Sequence, residues 1–214
     1  MSKNIKNELD ETIRLTDSVR LRIESEYLII SNKKKCKQLL VLGKSDLGEE
    51  GIIDVLVSLH IILEVSLNTL FRHLLLMGIK KDVDEFEIIK NIDAINFIDK
   101  TVLFIYNSKF NFEEKLAEAS RYHSIIGKLK NFAELRNKLL HGHSISFVFP
   151  EGESGQSLLK KKINPESLTD QIEKFKFILE GMRFYLDCLD SSLTQDGKER
   201  FKRAYLNDDF LLQR

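Results

Sequence analysis

The chain has 214 residues, of which 43% are hydrophobic and 31% are charged, with only two prolines and ten glycines. This length and apolar content suit one domain with a hydrophobic core, and they exclude disordered, collagen-like and disulfide-scaffold proteins. Basic and acidic residues number 33 each, so the formal net charge is zero. A globally basic nucleic-acid binder is therefore disfavoured, whereas local basic patches remain open.

The thiols and the N-terminal residues bear on the compartment. Cys36 and Cys188 are far apart and have no metal-ligand spacing, which favours a reducing compartment. The N-terminal residues lack the apolar run of a signal peptide. The most apolar stretch, residues 51–78, is interrupted by polar residues that suit a helix buried in protein rather than in lipid (Asp54, His60, Glu64, Arg72 and His73). We expect a soluble, cytoplasmic protein with no membrane partner.

Apolar residues at helical spacing predict a mainly α-helical protein. A first helix is predicted over residues 7–30, with a buried stripe made of Leu9, Ile13, Thr16, Val19 and Ile23. A basic connector, NKKKCKQ, follows it. Residues 50–77 are apolar on nearly every side, which indicates a central buried helix that ends at Gly78 as its C-cap.

Two further helical regions precede a change of pattern. Residues 86–106 predict one or two helices, with apolar positions at Ile88, Ile92, Ile95, Ile98 and Val102. The next helix is predicted from residue 112 or 113 to 140, with a break near Ser124 and with Gly142 available as a left-handed cap. The segments SISFVF (144–149) and SLLKKKI (157–163), separated by the turn-forming PEGESGQ, then predict a β-hairpin.

The C-terminal part predicts a long helix and a short one. Asn164 and Pro165 are suited to the N-cap and first turn of a helix whose stripe is Ile172, Phe175, Ile178 or Leu179, Met182, Tyr185 and Leu189. A short helical tail is predicted over residues 194–206. No repeat or linker divides the chain. We therefore expect one bundle, in which residues 1–48 form a helix and connector packed on it, residues 49–193 form the helical domain with a hairpin at 144–163, and residues 194–214 form the tail.

Arg136 is the first candidate for chemistry. On a helical wheel it lies within the apolar stripe of its predicted helix, between Phe132 and Leu140. A guanidinium is costly to bury unpaired, so it needs a carboxylate, a phosphate or an opening to water. The alternative is a structural arginine paired with a buried carboxylate or with helix carbonyls.

His141 is the second candidate, because it lies at the predicted C-terminal end of the same helix. Such an end favours the imidazolium, so this side chain can be charged near neutral pH. The alternative is a histidine that only caps the helix. Five residues correspond to about 140° on an ideal helix. Arg136 and His141 therefore converge only if the helix end bends at Gly142 or if a second copy faces the first.

A polar stripe runs along the predicted central helix at intervals of four residues (His60, Glu64, Asn68 and Arg72). Either a wet cleft or a polar partner explains it, or it is a solvated edge with local ion pairs. Glu64 is the candidate to pair with Arg136 or to orient His141. The spacing of His60 and Glu64 permits a metal site, but the sequence suggests no further ligands. We therefore expect no metal and no cofactor.

Two lysine runs, Lys33–Lys35 with Lys37 and Lys160–Lys162, can contact phosphates or can be solvated surface. The motifs GxxxxGK[ST], GxGxxG, GxSxG and HExxH do not occur, so readings as an NTPase, a dinucleotide-binding protein, an α/β-hydrolase or a zincin lack support.

The segment RNKLLH, which runs from Arg136 to His141, resembles the R-x4–6-H motif of the HEPN superfamily. The segments ILEVSLNTLF (62–71), IDAINFIDKTVLF (92–104) and ELRNKLLHG (134–142) come in the order that is usual for that family. The likeness covers roughly residues 50–192 and leaves the first 48 unexplained. It implies a mainly α, HEPN-like helical bundle with a small β-hairpin between the last two long helices.

The resemblance also implies a function. Many HEPN proteins are metal-independent endoribonucleases of toxin–antitoxin or phage-defence systems, in which a ribose 2′-OH attacks the adjacent phosphate. In this chain His141 would move protons and Arg136 would stabilise the phosphorane. Asn137 would position the phosphate or hold the imidazole, and Glu64 would orient Arg136 or act as an auxiliary acid–base group. The residues expected to contact RNA are Lys138, Asn68, Arg72 and His143.

Partners and rival functions follow from the same motif. Cleavage needs a proton acceptor and a proton donor, whereas one chain supplies one motif histidine, so a homodimer with a shared cleft is expected. RNA is the expected substrate, and a cognate antitoxin or regulatory protein is a further partner that the family implies. The main alternative is a catalytically inactive HEPN-like module that binds a protein or a nucleotide. A role beside a nucleotidyltransferase, or in sensing a small ligand, is a third reading.

Overall fold

The computed structural model describes residues 23–43, 46–78, 94–108, 115–141, 163–189 and 193–211, with the backbone alone for 73–78 and 136–141. The helices are α1 (23–41), α2 (Glu49–Gly78), α3 (Phe97–Ser108), α4 (Leu116–Tyr122), α5 (Ile125–His141), α6 (Pro165–Asp187) and α7 (Gln195–Tyr205), followed by a 3-10 turn (Asp209–Leu211). No strand occurs in these ranges, and the mainly α prediction is confirmed. The predicted hairpin, except for Ile163, lies outside them. None of the described helices is long and apolar enough to cross a membrane.

The central helix is α2, which contacts α3, α5 and α6. Its bounds agree with the helix predicted from its apolar composition. Side chains on several of its faces are almost fully buried, as expected for a helix surrounded by protein (Ile52, Val55, Leu59, Ile62, Leu63, Leu67 and Leu70).

Local signals explain where α6 begins and which face it buries. The Asn164 side chain accepts a hydrogen bond from the Ser167 amide at 2.8 Å, and the Ser167 hydroxyl accepts one from the Asn164 amide at 3.1 Å. This reciprocal cap, followed by Pro165 in the first turn, confirms the predicted helix start. All the predicted stripe residues are buried (Ile172, Phe175, Ile178, Leu179, Met182, Tyr185 and Leu189).

Helices α5 and α6 pack closely in opposite directions. The rings of Phe132 and Phe175 lie 6.3 Å apart between centroids, and a Cβ added at Gly181 would lie 2.5 Å from Cδ1 of Ile125. Glycine at position 181 therefore permits the close approach of α5. The break predicted near Ser124 is confirmed, because α4 ends at Tyr122 and α5 begins at Ile125.

The prediction for α1 is partly wrong. Residues 31–41, which include the predicted connector NKKKCKQ and were predicted to lie outside the first helix, are helical, and Ile23, predicted as buried, is 61% exposed. The face that α1 buries contains Ile29, Cys36 and Leu40. Half-buried Lys33 occupies the helical position between Ile29 and Cys36, and this charge interrupts the apolar periodicity on which the prediction depended. The part of the predicted stripe before residue 23 lies outside the described residues.

The prediction for α3 is also corrected. Its described helix begins at Phe97, and the Asn96 side chain caps it by accepting from the Asp99 amide at 2.9 Å. Val102 is 44% exposed, whereas the buried positions are Lys100, Thr101, Phe104, Ile105 and Ser108. Because a lysine lies at the centre of the buried face, the spacing of the apolar residues does not reveal which face of α3 is buried.

The predicted C-terminal tail is confirmed as helix α7, which begins after Thr194. The Thr194 hydroxyl accepts from the Gly197 amide at 3.1 Å. Nζ of Lys198, which is 7% exposed, donates to the carbonyl of Leu189 at 2.5 Å, just beyond the end of α6. This lysine therefore satisfies a backbone acceptor near the end of α6 and joins the two helices.

Three other helices bind the residues around the end of α7. The Ser66 hydroxyl of α2 donates to the carbonyl of Tyr205 at 3.0 Å. On α6, Arg183 donates through Nε to the carbonyl of Leu206 at 2.7 Å and through Nη2 to Oδ1 of Asp208 at 2.6 Å. From α1, Nζ of Lys33 donates to the carbonyl of Ala204 at 3.1 Å and to Oδ1 of Asn207 at 2.9 Å. The tail is thus an integral part of the bundle.

The buried position of Lys33 makes the free energy of unfolding depend on pH. Burial lowers the pKa of the Lys33 ammonium to about 8; Asp209 and Asp208 oppose this shift and Arg183 adds to it. In the unfolded chain a lysine keeps its proton up to a pKa of about 10.4. Between about pH 8 and about pH 10 the unfolded state therefore binds more protons, and this group makes the free energy of unfolding rise with pH.

We expect the difference in unfolding free energy between the wild type and Lys33→Met to shift in favour of the wild type as the pH rises from about 7 to about 10. Urea unfolding of both proteins at several pH values measures it. Other groups titrate in the same range, but they are common to both proteins and cancel in the difference. A difference that stays constant with pH would contradict the lowered pKa.

Candidate functional site

His60 belongs to the polar stripe of α2 but is only 2% exposed. Its ring stacks on Phe132 of α5 with centroids 5.8 Å apart, and Phe97 of α3 lies at 5.4 Å on a tilted plane. Nε2 lies 3.6 Å from Oε2 of Glu64. The imidazole of His60 is therefore enclosed where α2, α3 and α5 meet, which favours a structural role in the packing of these helices.

The next two residues of the stripe face solvent and α3. The Glu64 side chain is 40% exposed, and Asn68 accepts a hydrogen bond from Nζ of Lys100 at 2.7 Å. Lys100 is 3% exposed, so this contact gives a polar partner to an ammonium buried between α2 and α3. Lys100 is not among the site residues predicted from the sequence. The available signal was a lysine at helical spacing between Phe97 and Phe104, two residues that themselves pack inward.

The direction of the helices decides which candidate residues come together. His60 of α2 and Phe175 of α6 both pack on Phe132. Further along these two helices, Ser66 and Arg183 both bind the end of α7. Hence α2 and α6 run in the same direction. Because α5 is antiparallel to α6, it is antiparallel to α2 as well.

This arrangement separates the predicted site residues into two groups. From the level of His60 and Phe132, the polar stripe continues through Glu64 towards the C-terminal end of α2. The segment from Arg136 to His141 continues towards the N-terminal end of α2. With a rise of 1.5 Å per residue, the Cα atoms of Glu64 and Arg136 are offset by about 12 Å along the bundle. The helix directions therefore do not favour the predicted pairing of Glu64 with Arg136.

On α2, the carboxylates nearest in height to the motif are those at the start of the helix. Glu49 and Glu50 belong to its first turn, and Asp54 follows one turn later. Asp54 forms an ion pair with Lys35 of α1, with Nζ and Oδ1 at 2.8 Å. This end of the bundle thus combines acidic residues of α2 with part of the lysine run of α1.

The segment from Arg136 to His141 forms the C-terminal turns of α5, which ends at His141. This position agrees with the prediction of a histidine at a helix C-terminus, where backbone carbonyls favour a positive charge. Asn137 and Lys138 lie on the same final turns, and only their backbone is described. Arg72 lies on α2, beyond Asn68 and away from the motif. His143 and Lys160–Lys162 lie outside the described residues.

The described residues hold no group of three or more histidine, cysteine or acidic side chains placed to bind a metal ion. The two thiols are poor candidates for nucleophiles. Burial raises the pKa of Cys36 to about 12 and also raises that of Cys188. A thiol with a raised pKa carries little thiolate near neutral pH.

Comparison with known proteins gives no relative from which a function could be transferred. No family model, no curated protein and no solved structure matches this chain. The function is therefore inferred from the residues and their placement in the bundle.

Proposed function

We propose that this protein is a metal-independent endoribonuclease of the HEPN type, with Arg136 and His141 as its catalytic pair. The observation that carries the proposal is the position of RNKLLH, which forms the last turns of α5 and ends the helix at His141. An all-α bundle around a long apolar helix is the setting that the resemblance implies. The described part of the chain agrees with it at that coarse level.

The chemistry requires only these two residue types. A ribose 2′-OH attacks the adjacent phosphorus, the bond to the 5′-oxygen breaks, and the products carry a 2′,3′-cyclic phosphate and a 5′-OH. A group with a pKa near neutrality takes the proton from the 2′-OH or gives one to the leaving oxygen, and histidine suits both tasks. A bidentate arginine stabilises the doubly negative phosphorane.

A second copy of the chain completes the proposed site. Each copy supplies one motif histidine, whereas cleavage needs an acceptor and a donor at the same phosphate. A twofold axis near the ends of two α5 helices would provide both. Within each copy, Asn137 is proposed to position the phosphate and Lys138 to contact the RNA backbone. Glu64, Asn68 and Arg72 follow α2 in the opposite direction from the motif, and the catalytic role of Glu64 and the RNA contacts of Asn68 and Arg72 stay predictions.

A second candidate function is a catalytically inactive HEPN-like module that binds a protein or a nucleotide. The observation that favours it is the set of carboxylates at the start of α2, Glu49, Glu50 and Asp54. In that case Arg136 would form a structural ion pair with one of them, and His141 would only cap α5. An antitoxin or regulatory protein remains a proposed partner under either function.

Incubation of the purified protein with mixed cellular RNA in EDTA tests the proposal. We expect fragments with 2′,3′-cyclic phosphate and 5′-OH ends, and no cleavage of an oligonucleotide with 2′-deoxyribose at every position. The Arg136→Ala/His141→Ala double variant, purified in the same way, controls for contaminating ribonucleases. Intact RNA, or cleavage equal to that of the double variant, would favour the binding module.

A further inference from the structure

Gln171, in the second turn of α6, is a buried amide that is only 7% exposed. Its Nε2 lies 3.3 Å from Oδ2 of Asp170, a carboxylate that also binds Nζ of Lys174 at 2.5 Å. A carboxylate only accepts hydrogen bonds, so the amide nitrogen faces Asp170 and the amide oxygen is turned away from it. Within the residues that the structure describes, no group donates a hydrogen bond to this buried oxygen. A buried acceptor without a donor is destabilising, so we expect a donor nearby.

The packing of α5 on α6 places Arg136 at the same height as Gln171. Phe132 of α5 and Phe175 of α6 pack on each other, with ring centroids 6.3 Å apart. Arg136 follows Phe132 by four residues, and Gln171 precedes Phe175 by four residues. Because the two helices are antiparallel, both steps move about 6 Å in the same direction along the bundle. Side chains four residues apart share a face of a helix, so positions 136 and 171 lie on the faces through which α5 and α6 meet.

A second contact and the neighbouring helix support this pairing. The close approach of Ile125 to Gly181 gives the same register of α5 on α6 to within one residue. On α2, the residue four positions before His60 is Leu56, which is 4% exposed and has no acceptor in its side chain. Asp54 lies further along α2, and its carboxylate is paired with a lysine of α1. The register therefore favours Gln171 over these α2 side chains as the partner of the motif arginine.

We propose that Gln171 is a positioning residue that holds the guanidinium of Arg136 through its amide oxygen and directs this cation towards the scissile phosphate. The positioning role rests on the proposed nuclease function, whereas the contact between the two side chains does not. The two groups are complementary, because a guanidinium has five N–H donors and no acceptor, and the amide oxygen is a buried acceptor.

An amide suits this task better than a carboxylate does. A carboxylate beside the guanidinium would offset its positive charge and weaken its attraction to the phosphorane. The neutral oxygen of Gln171 fixes the direction of the guanidinium and leaves its full charge in place. The remaining N–H groups of the planar fork are then free for two phosphate oxygens. An arginine held in advance needs less reorganisation during the reaction.

A double-mutant cycle in the unfolding equilibrium tests the contact. Gln171→Leu removes the acceptor at similar volume, and Arg136→Met removes the donors and keeps an apolar stem. If the two side chains bind each other, each single variant leaves a polar group without its partner, so the double variant should be more stable than the sum of the two changes. We expect a coupling of at least about fivefold in the unfolding equilibrium constant, measured by urea unfolding followed by circular dichroism.

Arg183→Met is the matched control for this cycle, because it makes the same change at an arginine with other partners. Arg183 lies on α6 about 18 Å from Gln171 along the helix axis. It binds the carbonyl of Leu206 and the carboxylate of Asp208. Substitutions this far apart are usually independent, so the coupling of Gln171→Leu with Arg183→Met should be less than about twofold.

RNA cleavage tests the positioning role. Gln171→Leu should lower kcat at least about tenfold and change KM less than about threefold, because Arg136 is proposed to act on the phosphorane rather than on the bound RNA. In an Arg136→Ala background the same substitution should lower kcat no further, because no guanidinium remains to be oriented. A substitution that only loosened the core would lower kcat in both backgrounds.

The two measurements fail separately. Additive effects of Gln171→Leu and Arg136→Met on stability would overturn the contact, whether or not the protein cleaves RNA. Coupled stability with an unchanged kcat in Gln171→Leu would overturn the positioning role and leave a structural pair. If the wild type cleaves no RNA, the proposed nuclease function fails and the positioning role fails with it, whereas the coupling still decides the contact.

Discussion

Replacing either Arg136 or His141 by alanine is expected to lower the rate of RNA cleavage at least about 10²-fold, the usual scale for losing a charge-stabilising or acid–base group. Arg136 would no longer stabilise the phosphorane, and His141 would no longer transfer the proton. Initial rates on a fluorescent RNA oligonucleotide in EDTA measure the effect. His143→Ala should matter much less, because this residue is not part of the R-x4-H motif. Undiminished cleavage by both the Arg136 and the His141 variants would falsify the catalytic assignment.

Two controls make this result specific. Helical circular dichroism should survive His141→Ala, because a residue at the end of α5 contributes little to the core. Glu64→Gln tests whether Glu64 acts together with Arg136. The sequence pattern predicts a strong loss of activity, whereas the helix directions predict a loss smaller than about tenfold, since Glu64 and Arg136 are offset by about 12 Å. A loss in Glu64→Gln as large as that in Arg136→Ala would show that the two residues act together.

Replacing Phe175 by alanine is expected to lower the free energy of unfolding by about 3–5 kcal/mol, the range for a fully buried phenylalanine. Phe175 is 0% exposed. Its ring centroid lies 6.3 Å from that of Phe132 on α5 and 6.1 Å from that of Phe210 in the C-terminal turn. Its removal leaves a cavity at the junction of α5, α6 and the tail. Guanidinium unfolding followed by circular dichroism measures the change.

Tyr27→Ala is the matched control, because it removes an aromatic ring that is 70% exposed on α1. Its effect should stay within about 0.5 kcal/mol, as is usual for surface positions. If both variants lose similar stability, Phe175 does not occupy the buried junction described for it.

The elements that sequence predicts correctly are those whose signals are local. The start of α6 follows from Asn164 and Pro165, whose capping contacts involve neighbours a few residues away. The buried face of α6 follows from an uninterrupted apolar stripe. The central helix α2 is apolar on nearly every side, so no choice of face was needed.

The errors arise where a charged residue belongs to the buried side. Lys33 on α1 and Lys100 on α3 occupy inward positions because distant partners, Asn207 and Asn68, accept their hydrogen bonds. A lysine in a helical pattern predicts a solvent-facing position, so the wrong face of each helix is predicted to be buried. Partners that lie far apart in sequence are not visible in a local window.

The separation of the α2 stripe from the motif on α5 could not be predicted either, because it too depends on contacts between residues that are far apart in sequence. Spacing alone places His60, Glu64, Asn68 and Arg72 on one stripe and Arg136 on another. It does not say in which direction the two helices pass each other. That relation depends on contacts such as His60 with Phe132, which join residues far apart in the chain. The sequence therefore identifies the motif and its position at a helix end, but not its neighbours.

The attachment of the C-terminal residues has a consequence for how the protein is made. Ser66, Arg183 and Lys33, on three different helices, all bind the segment that follows Lys202. Because domains fold as units during synthesis, the ribosome must produce the chain through Leu211 before this core can close. A nascent chain that ends before Tyr205 exposes the apolar surfaces that the tail would cover. Truncated products should therefore be recognised by chaperones and proteases rather than accumulate as a folded and active protein.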